Sequence, residues 1–290
     1  MKYQYIVTSS FGNDSVALIQ WMQENKPGKF CVLYNDTGWA RDDWPKRVSE
    51  LSKKCFELGI HVYKTKSVGM ANLVKAKKGW PMPASKMQFC TQELKEGPSR
   101  KFYEENDPNC DAIIVTGRRR EESQNRAALP LWQYESEKHD GRDVYNPLAN
   151  HTEEQRDELL KRFGIAPLPH SSMECYPCVC ANKQDLAKMP LNDPRIDFIE
   201  KLEIEMGHTR NGKPRTMFRP YRVGGGVGIR QAVAWGRGER GFKSEYIPNE
   251  YKKPGEQTAM FEGVSDVAYE IHTREGREFA KQCDGGFCGS

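Results

Sequence analysis

The chain reads as an α/β protein built on a doubly wound parallel sheet, and three observations predict it. Tyr3 to Thr8 is a short run of aromatic and β-branched residues. A small-residue turn follows, and then Val16, Ile19 and Met22 recur at helical spacing. The alternation repeats: Phe30 to Tyr34 reads as a second strand, Trp44, Val48, Leu51, Cys55 and Leu58 as one buried helix face, and Ile60 to Tyr63 as a third strand. Asp111 to Thr116 is the clearest buried strand. Strands alternating with helices imply a parallel sheet covered on both faces.

Composition bounds the rest. A chain of 290 residues is long enough for one large α/β domain, or one domain with an appendage. Mean hydropathy of −0.79 and no apolar run near the ~20 residues that span a bilayer argue against a membrane protein. Met1-Lys2 leads straight into the first strand without a leader-like segment, so a cytoplasmic location is expected. Nine cysteines without an export signal suggest reduced thiols, a metal site or redox chemistry. The net charge of +4 says little; where the charge lies says more.

The turn Thr8-Ser9-Ser10-Phe11-Gly12-Asn13-Asp14-Ser15 joins a strand to a helix and points backbone N–H groups and the helix's positive end at one spot. Such a spot binds phosphate. Gly12 permits close approach of an anion, Ser10 and Ser15 offer hydroxyls, and Asp14 suits Mg²⁺ or a ribose hydroxyl. An ordinary capped corner is the plainer reading. Asp36 ends the second strand, where ligands collect in open parallel sheets. Gly117 precedes Arg118-Arg119-Arg120 at the next strand end, an anion site unless it is a solvated basic loop.

Further along, Leu129 to Asp143 is polar with weak periodicity and reads as an excursion over the mouth of the site. Thr152 to Gln155 is a capping box opening a helix to Phe163, and Asp193-Pro194 begins another to Met206. Cys175-Tyr176-Pro177-Cys178 is a C-x₂-C knuckle that presents two thiolates to one metal, either zinc or an iron–sulfur cluster. Cys283 and Cys288, separated by glycines, could complete the set; Cys90, Cys175, Cys178 and Cys180 form a rival one. Cys55 lies on a helix stripe and reads as core. Residues 208–243 hold nine basic side chains against the single acid Glu239, with Phe218, Tyr221, Trp235 and Phe242 between them. That pattern suits nucleic acid, or a solvated basic surface.

Several ordered motifs over residues 3–205 resemble the phosphoadenosine phosphosulfate (PAPS) reductase family of the PP-loop adenine-nucleotide superfamily. Ser10 to Ser15 resembles its S-G-G-x-D-S loop, with Phe11 in place of the first glycine. Asp36-Thr37-Gly38, Cys90-Thr91-Gln92-Glu93-Leu94-Lys95, Gly117 to Ser123 with Arg126-Ala127, and the Pro147-Leu148 segment follow in order. Cys175 to Val179, with Lys183 and Asp185, resembles the cysteine segment of the branch that moves sulfur onto DNA. The resemblance implies an adenine-nucleotide α-hydrolase-like sandwich over residues 1–170 and a cysteine-containing basic region over 171–290. It implies ATP and Mg²⁺ bound through Ser10, Gly12, Asp14, Ser15, Asp36, Thr37, Gly117 and Arg118, with Glu122 and Arg126 shaping the loop. Asp14, Cys90 and Lys95 would be catalytic, Cys90 as cluster ligand or sulfur carrier and Lys95 facing phosphate. Cys175, Cys178, Cys283 and Cys288 would hold a [4Fe-4S] cluster, with zinc as the alternative. The implied activity is ATP-dependent adenylation and sulfur transfer to DNA or RNA, fed by a donor such as a cysteine desulfurase. A sulfonucleotide reductase is the alternative, and a non-catalytic nucleotide or nucleic-acid module with a structural metal site is the third reading.

Overall fold

The computed structural model describes residues 3–25, 28–82, 88–218 and 228–239. They fall into two units, one drawn from residues 3–73 and 89–176, the other from 74–82, 88, 177–218 and 228–239.

The first unit is the doubly wound α/β body. Strands β1 (Tyr5–Thr8), β2 (Phe30–Asp36), β3 (His61–Lys66), β4 (Ile113–Val115), β5 (Trp132–Ser136) and β6 (Arg142–Tyr145) form one sheet in the order β3-β2-β1-β4-β6-β5. All neighbours are parallel except β5 and β6. Helices α1 (Asn13–Asn25), α2 (Trp44–Glu57) and α6 (Glu153–Phe163) supply one core: Val16, Ile19 and Met22 meet Val48, Leu51, Cys55, Leu159 and Leu160 over Val7 and Val32. The helical segment α4 (Phe89–Thr91), a π-helical turn (Gln92–Glu96) and α5 (Gly97–Asn106) brings Phe102 and Tyr103 to a second core beside Ile6, Leu33 and Ile114. Helix α3 (Met70–Lys77) runs from this unit into the other.

Local chemistry sets the helix ends where the sequence placed them. Thr152 Oγ1 accepts from Gln155 N–H at 3.3 Å, Gln155 Oε1 accepts from Thr152 N–H at 2.9 Å, and Gly164 closes α6 at φ +79°. The buried face of α2 is Trp44, Val48, Leu51 and Cys55, and burial pushes the Cys55 thiol up to about 12, as suits a core cysteine.

The stretch 129–143 departs from expectation. Instead of an open excursion it supplies β5 and the first residues of β6, a hairpin whose register shifts between Gln133 and Ser136. β5 pairs with β6, whose continuation through Val144 and Tyr145 pairs with β4, and Arg142 is buried against Asp107 at 2.7 Å with its guanidinium over the Tyr103 ring. None of these partners is visible in local periodicity.

In the second unit, α7 (Lys183–Ala187), α8 (Pro194–Met206) and α9 (Ile229–Gly236) pack together. A Cβ on Gly236 would stand 2.9 Å from the Ala187 nitrogen, so glycine sets how closely α9 approaches α7. The buried Glu203 carboxylate accepts from Met217 N–H at 2.8 Å and Ile229 N–H at 3.0 Å, which compensates its charge at the start of α9. No helix among the described residues is long and apolar enough to cross a membrane.

Candidate nucleotide site

The strand order reverses between β1 and β4, so the crevice beyond their carboxyl ends is the topological switch point of the sheet. The Ser9–Ser15 turn leaves β1 there, and Gly117 to Arg119 leave β4 beside it.

The turn is held from below. Phe11 adopts φ +57°, in the left-handed region where glycine is favoured, yet its ring is fully buried and lies 5.8 Å from Tyr34, centroid to centroid. Two α2 side chains fix the chain on either side of it. Trp44 Nε1 donates to the Ser10 carbonyl at 3.2 Å, and Arg47 Nε donates to the Phe11 carbonyl at 2.9 Å. Arg47 Nη2 is buried without a hydrogen-bond partner among the described residues, a spare cationic donor beside the turn. Ser9 Oγ and Ser10 Oγ accept from the Phe11 and Gly12 amides at 3.0 and 3.4 Å. Asn13 is tied at both ends of its amide to Leu168, at 3.0 and 2.9 Å. A Cβ on Gly12 would stand 2.9 Å from Ser172 Cβ, so the turn tolerates no side chain there.

The β4 end packs directly on this turn. A Cβ on Gly117 would lie 2.9 Å from the Asp14 carbonyl and 3.3 Å from the Ser15 nitrogen. Arg119 turns toward it: Arg119 Nε meets Asp14 Oδ1 at 2.5 Å. Arg119 Nη1 also donates to Glu121 at 2.9 Å and to the His151 carbonyl at 3.4 Å. Glu122 accepts from the Arg119 amide at 3.1 Å and pairs with Arg126, which gives the loop its shape. Burial lowers the Arg118 pKa, with the charge of Glu96 opposing, and the Arg118 charge acts in turn on His139. Arg120 donates to the Leu129 carbonyl at 2.8 Å and to Asn150. The three arginines therefore have three destinations.

At the β2 end, Asp36 Oδ1 accepts from Gly38 N–H at 2.9 Å, and Thr37 Oγ1 donates to the Glu174 carbonyl at 2.8 Å. Lys95 pairs with Glu174 at 2.9 Å; burial, countered by Lys95, holds the Glu174 carboxyl above its usual range. Cys90 is buried, and its thiol is pushed up to about 11, first by burial and then by the neighbouring Cys175 thiol. Burial raises Cys175 as well, with Lys95 opposing; its Sγ lies 3.8 Å from Thr37 Oγ1. The structure thus brings Cys90, Lys95, Glu174 and Cys175 together beside Thr37. Glu174 and Arg47 were not singled out from sequence, and Trp44 was read only as part of a buried helix face. The only signal for Arg119 was its place within an arginine run.

The cysteine expectation is carried only in part by the described residues. In the second unit, Cys180 N–H lies 3.4 Å from Cys178 Sγ, and Gln88 Nε2 lies 3.9 Å from Cys180 Sγ. Cys283 and Cys288 lie outside the described residues, as do Arg219, Tyr221, Arg222, Arg240, Phe242 and Lys243. No group of three or more His, Cys, Asp or Glu that could hold a metal ion occurs among the described residues. By themselves they do not fit a four-ligand cluster. Asp14, the residue expected to face Mg²⁺, is engaged by a guanidinium.

Residues 4–170 match the family model described as the phosphoadenosine phosphosulfate reductase domain. An uncharacterized 37.8 kDa protein of Escherichia phage 186 is 36% identical over 120 residues, covering 37% of this chain and 34% of that protein. The phosphoadenosine 5′-phosphosulfate reductase of Vibrio parahaemolyticus is 22% identical over 166 residues, covering 57% of this chain and 61% of that one. The chain thus matches about a third to three fifths of the length of these relatives. Among solved structures, the U34-tRNA thiolase NcsA of Methanococcus maripaludis, with its [4Fe-4S] cluster, is similar at a TM-score of 0.40 and 16% identity, over 59% of this chain and 61% of that one.

Proposed function

Since the chain belongs to the phosphoadenosine phosphosulfate reductase domain family, we propose that its PP-loop binds ATP and uses it to activate an oxygen of a nucleic acid for replacement by sulfur. The observation that carries the nucleotide reading is the switch point itself, where the Ser9–Ser15 turn and Gly117 are packed within van der Waals reach at the start of α1. The first-turn N–H groups of a helix have no carbonyl ahead of them, and an anion there is favoured by the helix dipole. Ser10 and Ser15 supply hydroxyls, while Asp36 and Thr37 border the ribose side.

An acceptor oxygen attacks the α-phosphorus of ATP. A new P–O bond forms as the bond to the bridging oxygen breaks, and pyrophosphate leaves with its charge held by the turn. The terminal sulfur of a Cys90 persulfide then displaces AMP from the activated atom. An external thiol reductant attacks Cys90 Sγ in the resulting acceptor–Cys90 disulfide, which frees the thiolated product and leaves Cys90 in a mixed disulfide that a second thiol reduces. Cys90, beside Cys175 and Lys95, is the residue proposed to carry that sulfur from a donor such as a cysteine desulfurase. The basic residues of 208–243 are proposed to hold the nucleic acid. Cys175, Cys178, Cys283 and Cys288 are proposed as ligands of an iron–sulfur centre, on the strength of their C-x₂-C and glycine-spaced pairing.

A sulfonucleotide reductase is the second reading, favoured by the name of the Vibrio relatives. Calorimetry separates the two: ATP should bind, and PAPS bound at least about tenfold tighter would move the assignment to the reductase. Pyrophosphate release that requires added DNA or RNA would support the transferase. Iron and zinc analysis of anaerobically purified Cys283→Ser and Cys90→Ser variants tests the ligand set; metal lost only from Cys90→Ser would replace Cys283 by Cys90.

A further inference from the structure

Resting on the nucleotide-binding reading, we infer that Asp14 is a positioning residue and not a Mg²⁺ ligand, and that Arg119 is the fixed cation of this site. The two side chains meet at 2.5 Å, and Arg119 is only 5% exposed. Its guanidinium is also held by Glu121 and the His151 carbonyl, and its own amide by Glu122. The backbone around the pair is equally closed, because Gly117 sits against the Asp14 carbonyl. Asp14 therefore straps the first turn of α1 to the loop leaving β4.

Mg²⁺ asks for octahedral oxygen ligation at about 2.0–2.1 Å and gives up its waters reluctantly. At Asp14 it would share a carboxylate with a buried guanidinium and feel its charge at close range. Moving the guanidinium aside would cost this buried cation its 2.5 Å contact with Asp14 and leave it only Glu121 and the His151 carbonyl among the contacts named above. No metal-capable group of three His, Cys, Asp or Glu exists among the described residues to offset either cost. Mg²⁺ then enters only on the nucleotide, coordinated by phosphate oxygens and water.

The test is a comparison of ADP affinity by calorimetry for the wild type, Asp14→Asn and Arg119→Lys, each in saturating Mg²⁺ and in excess EDTA. Both substitutions should weaken ADP by about tenfold or more, through loss of a charge-assisted contact that shapes the site. The loss should be the same factor in both buffers, within about threefold. Affinity lost in Mg²⁺ but unchanged in EDTA would make Asp14 a metal ligand and overturn the inference. Unchanged ADP affinity in a folded Asp14→Asn protein, checked by its melting temperature, would overturn the positioning role. A Mn²⁺ titration followed by electron paramagnetic resonance on nucleotide-free protein supplies an independent reading. Equally weak Mn²⁺ binding by wild type and Asp14→Asn is expected, and a Mn²⁺ site lost in the variant refutes the proposal. A wild type that binds no ADP in either buffer defeats the nucleotide reading instead, and the Mn²⁺ titration still decides the role of Asp14.

Discussion

Phe11 packs its ring against Tyr34 at 5.8 Å while its own backbone stands at φ +57°. The PP-loop pattern has glycine at this position, and the geometry explains both residues. The turn needs a left-handed backbone, which costs a bulky side chain on the order of 1 kcal/mol or more. Here the ring is fully buried, and burying an aromatic side chain of this size offsets more than that. Phe11→Gly should therefore lower stability by about 2–4 kcal/mol in urea unfolding, although it relieves the backbone. A variant as stable as the wild type would show that the strain outweighs the packing.

Gly117→Val probes the contact between the β4 end and the first turn of α1. Its Cβ would meet the Asp14 carbonyl at 2.9 Å, and backbone cannot yield as a flexible side chain does. The expected result is at least a tenfold rise in the ATP dissociation constant, about 1.4 kcal/mol or more. Equal ATP affinity in the two proteins would remove Gly117 from the site.

His139 should make stability fall in acid. Its ring is hemmed by Arg118, Lys138, Arg100 and Arg142 and contacts Tyr103 Oη at 3.3 Å; burial and then these charges lower its pKa to about 4. Because this value lies below the ordinary 6.5, the neutral ring stabilises the fold above pH 6.5. That contribution is lost as pH falls from about 6.5 to 4, at ~1.4 kcal/mol per pKa unit, or about 3.5 kcal/mol at most. His139→Gln, unfolded by urea at pH 7 and pH 4.5, should lose less stability between the two than the wild type. Parallel losses would mean that the ring titrates normally.

The basic stretch should contribute to nucleic-acid binding unevenly. Arg230 is paired with Asp197 and Glu200, and Arg237 donates to the Met189 carbonyl at 2.6 Å. Arg215 donates to the Met206 carbonyl at 3.1 Å, and to that of His208. Arg210 and Lys213 instead stand exposed on a turn closed by Thr209 N–H to the Lys213 carbonyl at 2.8 Å. Replacing Arg210 and Lys213 by Ala should reduce the log–log salt slope of DNA binding by about 1.5–2, while Arg230→Ala leaves it unchanged. Anisotropy titrations at several salt concentrations measure both. A slope that drops for Arg230→Ala and not for the pair would reverse the assignment.

The motifs in the sequence were legible where chemistry is local. Thr152 with Gln155 announced its capping box, and the four-and-three spacing of Trp44, Val48, Leu51 and Cys55 announced the buried face of α2. The small-residue turn after β1 was equally plain, because a strand-to-helix corner needs those residue types within a few positions. The hairpin of β5 and β6 was not legible, since β5 pairs with β6, β6 docks on β4 through Val144 and Tyr145, and Arg142 is buried against Asp107, all partners distant in sequence or outside the local pattern.

What the sequence by itself determined is the doubly wound α/β class, the PP-loop turn and the candidates at three strand ends. Only the tertiary structure decided how those candidates divide the work. Arg118 and Arg119 are adjacent and chemically identical, yet in the loop that leaves β4 they have different neighbours. One lies beside Glu96 and His139, while the other meets Asp14, 105 positions away in the chain. The same holds for Lys95, which closes on Glu174. Charge in a sequence has magnitude and order but no direction, and the folded sheet supplies the direction.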